Sequence, residues 1–272
     1  MPELPEVETI KRDLEKVILN KKVIDITIYK SKVIKEPSLP KFKQLLKGAT
    51  CIQVLRRGKL LILSFRREDG HRYYLTIHLR MTGQLVFGKK DLNSRLNLRL
   101  SDGSFLSYND QRLLGELRLV KDWQGLDFVR HMGPEPLNKG FTLTEFKKRL
   151  DRKKAKIKSL LLDQSFIAGI GNIYAAETLF LSGINPKKAA HRLTNIETSR
   201  LFGNIKKVLR QAIIHRGTSF SNYRDGRGKK GSYLQRLFVY GRRGESCFKC
   251  GSKIKRISIS GRGTYFCPRC QK

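Results

Sequence analysis

Apolar residues recur at helical spacing over 5–19, where Val7, Ile10, Leu14, Val17 and Ile18 fall on one face and Asn20 marks the end. That spacing predicts an amphipathic helix holding the N-terminus against the layer beneath it. Short alternating or apolar runs follow at 23–29, 50–55, 60–65, 73–79, 84–87, 96–100, 104–108 and 116–120. Asp69-Gly70 and Asp102-Gly103 supply hairpin turns between them. In the run 95–100, Leu96, Leu98 and Leu100 face one way, and Arg95, Asn97 and Arg99 the other. Eight short strands so spaced predict a β-sandwich or barrel. Gly133-Pro134-Glu135-Pro136-Leu137-Asn138-Lys139-Gly140 reads as an interdomain linker, beyond which the period changes to helices over 144–151, 157–163, 173–181 and 196–215. Residues 219–232, rich in Gly, Lys and Arg, are expected to form a mobile basic loop.

Charge changes the picture next. The 272 residues hold 57 Lys+Arg against 23 Asp+Glu, a net charge of +34. Self-repulsion on that scale disfavours a compact chain unless a polyanion sits against it, and nucleic acid is the obvious one. The basic residues are also clustered: residues 147–158 carry eight against Asp151, and residues 241–272 carry nine against Glu245. No stretch approaches a membrane span and no signal-peptide core opens the chain, so a membrane partner is not expected.

Two clusters carry chemistry. Cys247-Phe248-Lys249-Cys250 and Cys267-Pro268-Arg269-Cys270, sixteen residues apart, can complete tetrahedral thiolate coordination of one Zn²⁺. A disulfide pair is the alternative, disfavoured in a reducing compartment. Cys51 lies in an apolar run and reads as a small buried hydrophobe. At the N-terminus, removing Met1 would leave Pro2 as a free secondary amine between Glu3 and Glu6. An α-amino group has a reference pKa of about 8, so part of it is uncharged near neutrality and able to attack a sugar carbon. The plainer reading is that Pro-Glu opens a helix at its first turn.

Several segments together resemble bacterial formamidopyrimidine-DNA glycosylases. They are Pro2-Glu3-Leu4-Pro5-Glu6-Val7-Glu8, Arg56-Arg57-Gly58-Lys59, His78-Leu79-Arg80-Met81-Thr82-Gly83 and Met132-Gly133-Pro134-Glu135-Pro136. Asp163-Gln164 through Gly169-Ile170-Gly171-Asn172-Ile173-Tyr174, Val239-Tyr240-Gly241-Arg242 and the cysteine ribbon continue it in order. The resemblance implies an α+β multidomain fold: an N-terminal β-sandwich with flanking helices over 1–133, a linker over 134–141, a helix–two-turns–helix module over 142–235 with a lesion-recognition loop at 218–232, and a zinc ribbon over 236–272. It implies a bifunctional DNA glycosylase/AP lyase for oxidised purines, acting on damaged double-stranded DNA as a monomer in the bacterial cytosol, with one structural zinc.

By the same resemblance, Pro2 is the nucleophile, Glu3 the acid that opens the sugar ring and Glu6 a supporting carboxylate. Lys59 resembles the lysine that contacts phosphate and assists β-elimination, and Arg262 the arginine of δ-elimination. Without the flanking matches, they read as a surface lysine and an ordinary hairpin arginine. Met81 and Arg112 resemble residues that fill the gap left by an extruded base. Lys154 and Asn172 resemble phosphate contacts around the Gly169–Asn172 turn, with Lys156 and Lys158 adding charge; alone, that stretch would read as a solvated basic face. Two positions depart from the family. Leu113-Leu114 stands where a basic residue and phenylalanine are usual, leaving Leu114 as an aliphatic wedge, and Arg95 replaces a contacting histidine. An endonuclease VIII-like enzyme for oxidised pyrimidines and a non-catalytic DNA-binding protein are the alternative readings.

Overall fold

A computed structural model describes residues 1–220 and 222–272. The chain divides into two units, Met1–Arg130 with His215–Leu234, and His131–Ile214 with Gln235–Lys272. Among the described residues no helix is long and apolar enough to cross a membrane.

The first unit opens with helix α1 (Leu4–Glu15), Pro5 standing in its first turn, where a missing N–H costs nothing. Val7, Ile10 and Leu14 are fully buried, as their spacing requires. The helix ends earlier than the apolar period suggests. The N–H groups of Val17 and Ile18 both return to the Leu14 carbonyl, and Asn20 takes a left-handed backbone (φ 63°). Ile18 is nevertheless buried, so the period outlasts the helix.

All eight expected strands form: β1 (Val23–Ile28), then, after a short strand β2 (Ile34–Glu36) and helix α2 (Leu39–Leu46), β3 (Thr50–Arg57), β4 (Leu60–Arg66), β5 (Arg72–His78), β6 (Gly83–Gly88), β7 (Leu96–Leu100), β8 (Phe105–Asp110) and β9 (Glu116–Val120). One sheet has the order β1-β7-β8-β6, the other β2-β9-β5-β4-β3. Among the described residues only β2 against β9 runs parallel. One apolar core draws on both sheets, from Leu96, Leu98 and Leu106 to Leu61, Leu63, Ile77 and Leu117, which makes the unit a β-sandwich. α1 packs on β3 and β4, and a four-residue helix, α3 (Asp127–Arg130), closes the unit's first segment. Asn97, expected to face solvent, is buried because its amide donates to the Asp91 carbonyl in the loop before β7.

The second unit holds α4 (Leu143–Leu150), α5 (Ile157–Leu162), α6 (Asn172–Ser182) and α7 (Asn195–Ile214), close to the expected spans. Thr142 caps α4 through its hydroxyl, and Gly183, left-handed at φ 69°, ends α6. A hairpin, β10 (Lys255–Ile259) and β11 (Arg262–Phe266), completes the unit.

Residues 215–234, expected within the helical module, instead belong to the first unit. Thr218 bridges Ser232, and Arg216 and Tyr223 bond to Asp13 and the Glu6 carbonyl of α1. The expected loop 218–232 includes Ser221, which lies outside the described residues. The described remainder is held by many hydrogen bonds rather than free in solvent.

Candidate active site and nucleic-acid surfaces

Pro2, Glu3 and Glu6 are all buried at the N-terminus of α1. Glu3 and Glu6 form a capping box, with the Glu3 N–H donating to Glu6 Oε2 at 2.7 Å. The other oxygen, Glu6 Oε1, accepts the N–H of Thr218 at 2.8 Å. Glu6 thus clamps residue 218 to the first turn of α1. A side chain at Gly217 would bring a Cβ within 2.6 Å of that Oε1, on a backbone already left-handed at φ 82°, so only glycine fits. A second clamp lies two turns along α1. Arg216 donates to Asp225 Oδ2 at 2.8 Å through Nε and pairs with Asp13, both carboxylates being buried.

Lys59 follows left-handed Gly58 in the β3–β4 turn and is buried. Arg56 fixes that turn: Nε pairs with Glu8 of α1 at 2.9 Å and Nη1 donates to the Gly58 carbonyl at 2.9 Å. Burial raises the Glu8 pKa, but the hydrogen bonds and charges of Arg56 and Arg12 outweigh it and hold the carboxyl below its usual value. His78 pairs with Leu60 across the sheet. Burial first, then the charges of Arg80 and Lys59, lower its pKa to about 4, so a neutral imidazole adjoins Lys59 at physiological pH.

Met81, Arg95, Arg112 and Leu114 meet around one buried carboxylate, Asp110 at the end of β8. Its oxygens accept from the Thr82 hydroxyl, the Arg112 N–H at 3.2 Å and the Gly115 N–H at 2.7 Å, while its carbonyl accepts Arg95 Nε at 2.9 Å. Both tips contain a left-handed non-glycine residue, Arg80 (φ 50°) and Leu113 (φ 52°), a conformation that costs about 1–2 kcal/mol for such side chains. The two leucines separate. Leu113 packs on the core, whereas Leu114 is 44% exposed beside exposed Arg112, whose Nη1 lies 3.3 Å from Met81 Sδ. A Cβ at Gly115 would collide with the Tyr108 hydroxyl at 1.7 Å, so the turn that presents Leu114 needs glycine.

In the second unit, Lys154 is exposed before α5, Asn172 starts α6 and Arg262 starts β11. Asn172 and the Arg262 hairpin are brought together, Asn172 Nδ2 donating to the Gly263 carbonyl at 3.0 Å. Lys158, read from sequence as added surface charge, is instead fully buried among them. Nothing in its neighbourhood of lysines separates it, except that it shares the apolar face of α5 with Leu161, three residues on. Glu177, also missed, is buried in α6 and accepts the N–H groups of Phe238, Val239 and Tyr240 at 2.7–3.0 Å.

The sulfurs of Cys247, Cys250, Cys267 and Cys270 all lie within 4.8 Å of one another, with two pairs at 3.9 and 3.4 Å. Four Zn–S bonds of about 2.3 Å in a tetrahedron place sulfurs about 3.8 Å apart, so the residues fit one zinc. Backbone N–H groups of Lys249 and Cys270 donate to Cys247 and Cys267 sulfur at 3.4 and 3.5 Å, a supporting shell suited to thiolates. The ribbon packs on α6 through Ala176 and Phe180. One structural zinc is the protein's metal.

Family models match three stretches: the formamidopyrimidine-DNA glycosylase N-terminal domain over residues 1–117, its H2TH domain over 132–223, and the zinc finger found in FPG and IleRS over 244–272. The formamidopyrimidine-DNA glycosylase of Pelotomaculum thermopropionicum is 42% identical over 278 residues, covering 100% of this chain and 99% of that protein. That of Desulforamulus reducens is 43% identical at the same coverage. Among solved structures, the Lactococcus lactis FPG (MutM) complex with Fapy-dG-containing DNA matches with TM-score 0.89 and 35% identity, covering 99% of this chain and 100% of that one. MutM in complex with carbocyclic 8-oxo-G-containing DNA matches with TM-score 0.89 and 36% identity over 100% of both chains.

Proposed function

The chain belongs to the formamidopyrimidine-DNA glycosylase family, and from that premise we propose that it is a bifunctional DNA glycosylase/AP lyase excising oxidised purines in base excision repair. The observation carrying this reading is the buried N-terminus, where Pro2, Glu3 and Glu6 are fixed at the first turn of a helix whose Glu8 also anchors the Lys59 turn. Relatives solved with Fapy-dG and 8-oxo-G in their DNA support the substrate class.

The nitrogen of Pro2 becomes nucleophilic only once Met1 is removed, because an amide lone pair is delocalised. It then attacks C1′ and the damaged base departs. Breaking C1′–O4′ leaves an iminium at C1′, with Glu3 giving its proton to O4′. Loss of a proton from C2′ expels the 3′-phosphate, a step Lys59 assists at the phosphate. Glu6, acceptor to Glu3 and Thr218, orders the acid and the segment after α7 together. Met81, Arg112 and Leu114 fill the gap in the stack, Arg95 steadies that turn through Asp110, and Lys154, Asn172 and Arg262 hold phosphates. The protein works as a monomer in the bacterial cytosol, its domains parsed as a β-sandwich, a helix–two-turns–helix module and a zinc ribbon.

Borohydride trapping on a duplex with 8-oxoguanine opposite cytosine, using protein of confirmed N-terminal mass, tests this. The expected result is an adduct mapping to Pro2. Trapping only on an abasic duplex would remove the oxidised-purine substrate, and preference for thymine glycol would favour the oxidised-pyrimidine reading.

A further inference from the structure

Lys158 is the second residue of α5 and is fully buried. Its Nζ donates to Thr264 Oγ1 at 2.6 Å, to Asn172 Oδ1 at 2.7 Å and to the Gly263 carbonyl at 3.3 Å. An ammonium has three N–H bonds, and these three oxygens suffice to accept them. They belong to two other elements, the first turn of α6 and the β10–β11 hairpin. The Thr264 hydroxyl in turn donates to the Arg262 carbonyl at 3.1 Å. One hydrogen-bond chain therefore runs from the Lys158 ammonium through Thr264 to the backbone of Arg262. A second runs through Asn172, whose Nδ2 returns to the Gly263 carbonyl. Next along the chain, Ser159 Oγ lies 2.8 Å from Ser260 Oγ on the far side of Arg262.

Arg262 itself is exposed, at the tip of a hairpin whose turn, Ser260-Gly261, is left-handed at both positions (φ 48° and 70°). Left to itself such a tip would place a long side chain loosely. Buried charge is retained in a fold only where it is well satisfied, and here its acceptors are half-buried Asn172 and the hairpin that carries exposed Arg262.

We propose that Lys158 is a positioning residue that sets Arg262 and Asn172 in register, and thereby decides how far strand cleavage runs past β-elimination. The inference rests on the glycosylase/AP lyase reading. β-Elimination removes the C2′ proton and releases the 3′-phosphate. δ-Elimination removes the C4′ proton and releases the 5′-phosphate, so it needs a group held at that phosphate. Misplacing Arg262 slows the second release and leaves the chemistry at Pro2 in place.

The test uses full-length zinc-loaded protein on an abasic-site duplex, comparing wild type with Lys158→Met and Thr264→Val. Zinc content and melting temperature are read alongside borohydride trapping, the ratio of β,δ to β products and duplex affinity. Lys158→Met is expected to keep its zinc and its trappable adduct, while the product ratio and the affinity each fall about tenfold. Thr264→Val, which removes one oxygen and keeps the lysine, is expected to lower the ratio less, and it carries the test if Lys158→Met loses zinc. A zinc-loaded Lys158→Met with wild-type ratio and affinity, or an unchanged ratio in Thr264→Val where the lysine variant cannot be loaded, overturns the inference. A wild-type chain inert on the abasic duplex instead overturns the activity on which it rests.

Discussion

Acidification from pH 7.5 to 5 should cost the first unit about 2 kcal/mol through one side chain, His78. Its folded pKa is about 4, lowered by burial and then by the charges of Arg80 and Lys59, against about 6.5 for an unperturbed histidine. Between those values the unfolded chain binds the proton and the folded one does not. Stability therefore falls as pH drops below 6.5 and stops falling below 4. The full window is worth about 3 kcal/mol, and about 2 kcal/mol of it is spent by pH 5. His78→Asn is the control, because its Oδ1 can still accept the Arg80 N–H that His78 Nδ1 accepts at 3.1 Å. Urea midpoints at pH 7.5, 6.5 and 5 give the measurement. Wild type should lose about 2 kcal/mol more than the variant over this range. Equal pH slopes would refute a neutral, half-buried imidazole beside Lys59.

Arg216→Met removes the guanidinium paired with buried Asp225 and with buried Asp13, leaving Asp13 only Arg227 at 3.6 Å; with the Arg216 guanidinium 39% exposed, the low end of the range applies, about 3 kcal/mol by thermal unfolding. The same variant should slow base excision more than cleavage of a preformed abasic site, and equal slowing of both would remove the clamp's link to base recognition. Leu114→Phe should strengthen retention on a lesion duplex by about 1 kcal/mol, roughly fivefold, from aromatic stacking; an unchanged dissociation constant would move the wedge elsewhere. Zinc removal should abolish DNA binding by unordering the ribbon that packs on α6, and full binding by zinc-free protein contradicts it.

The elements legible in sequence were those whose pattern is local. Period-2 runs located all eight of the sandwich's longer strands, and the two Cys-x-x-Cys pairs located the metal site. β2 escaped because three residues carry no period, and because its pairing with β9 is parallel and distant in sequence. α2 escaped as an eight-residue helix with two buried apolar positions, Phe42 and Leu46. At the site, identities were visible but supports were not. Only the fold shows one carboxylate, Asp110, tying the turn that carries Met81 to the one that carries Leu114. Lys158 sits in a basic run whose other members are exposed or, for Arg149, half-buried, and burial is a property of partners a hundred residues away. Residues 215–234 read as part of the helical module because they follow α7, whereas the acids that hold them, Glu6 and Asp13, lie at the other end of the chain.

That last arrangement sets an order of events on the ribosome. All of the sandwich's core residues except Tyr223 have been synthesised by Arg130, yet its final segment follows only after every residue from His131 to Ile214 has been made. At roughly 5–20 residues per second the delay lasts seconds. Throughout it, Glu6 Oε1 lacks the Thr218 N–H and Asp13 lacks Arg216. The first turn of α1 thus waits without its clamps until the segment after α7 emerges, and an isolated 1–130 fragment would hold that immature state permanently.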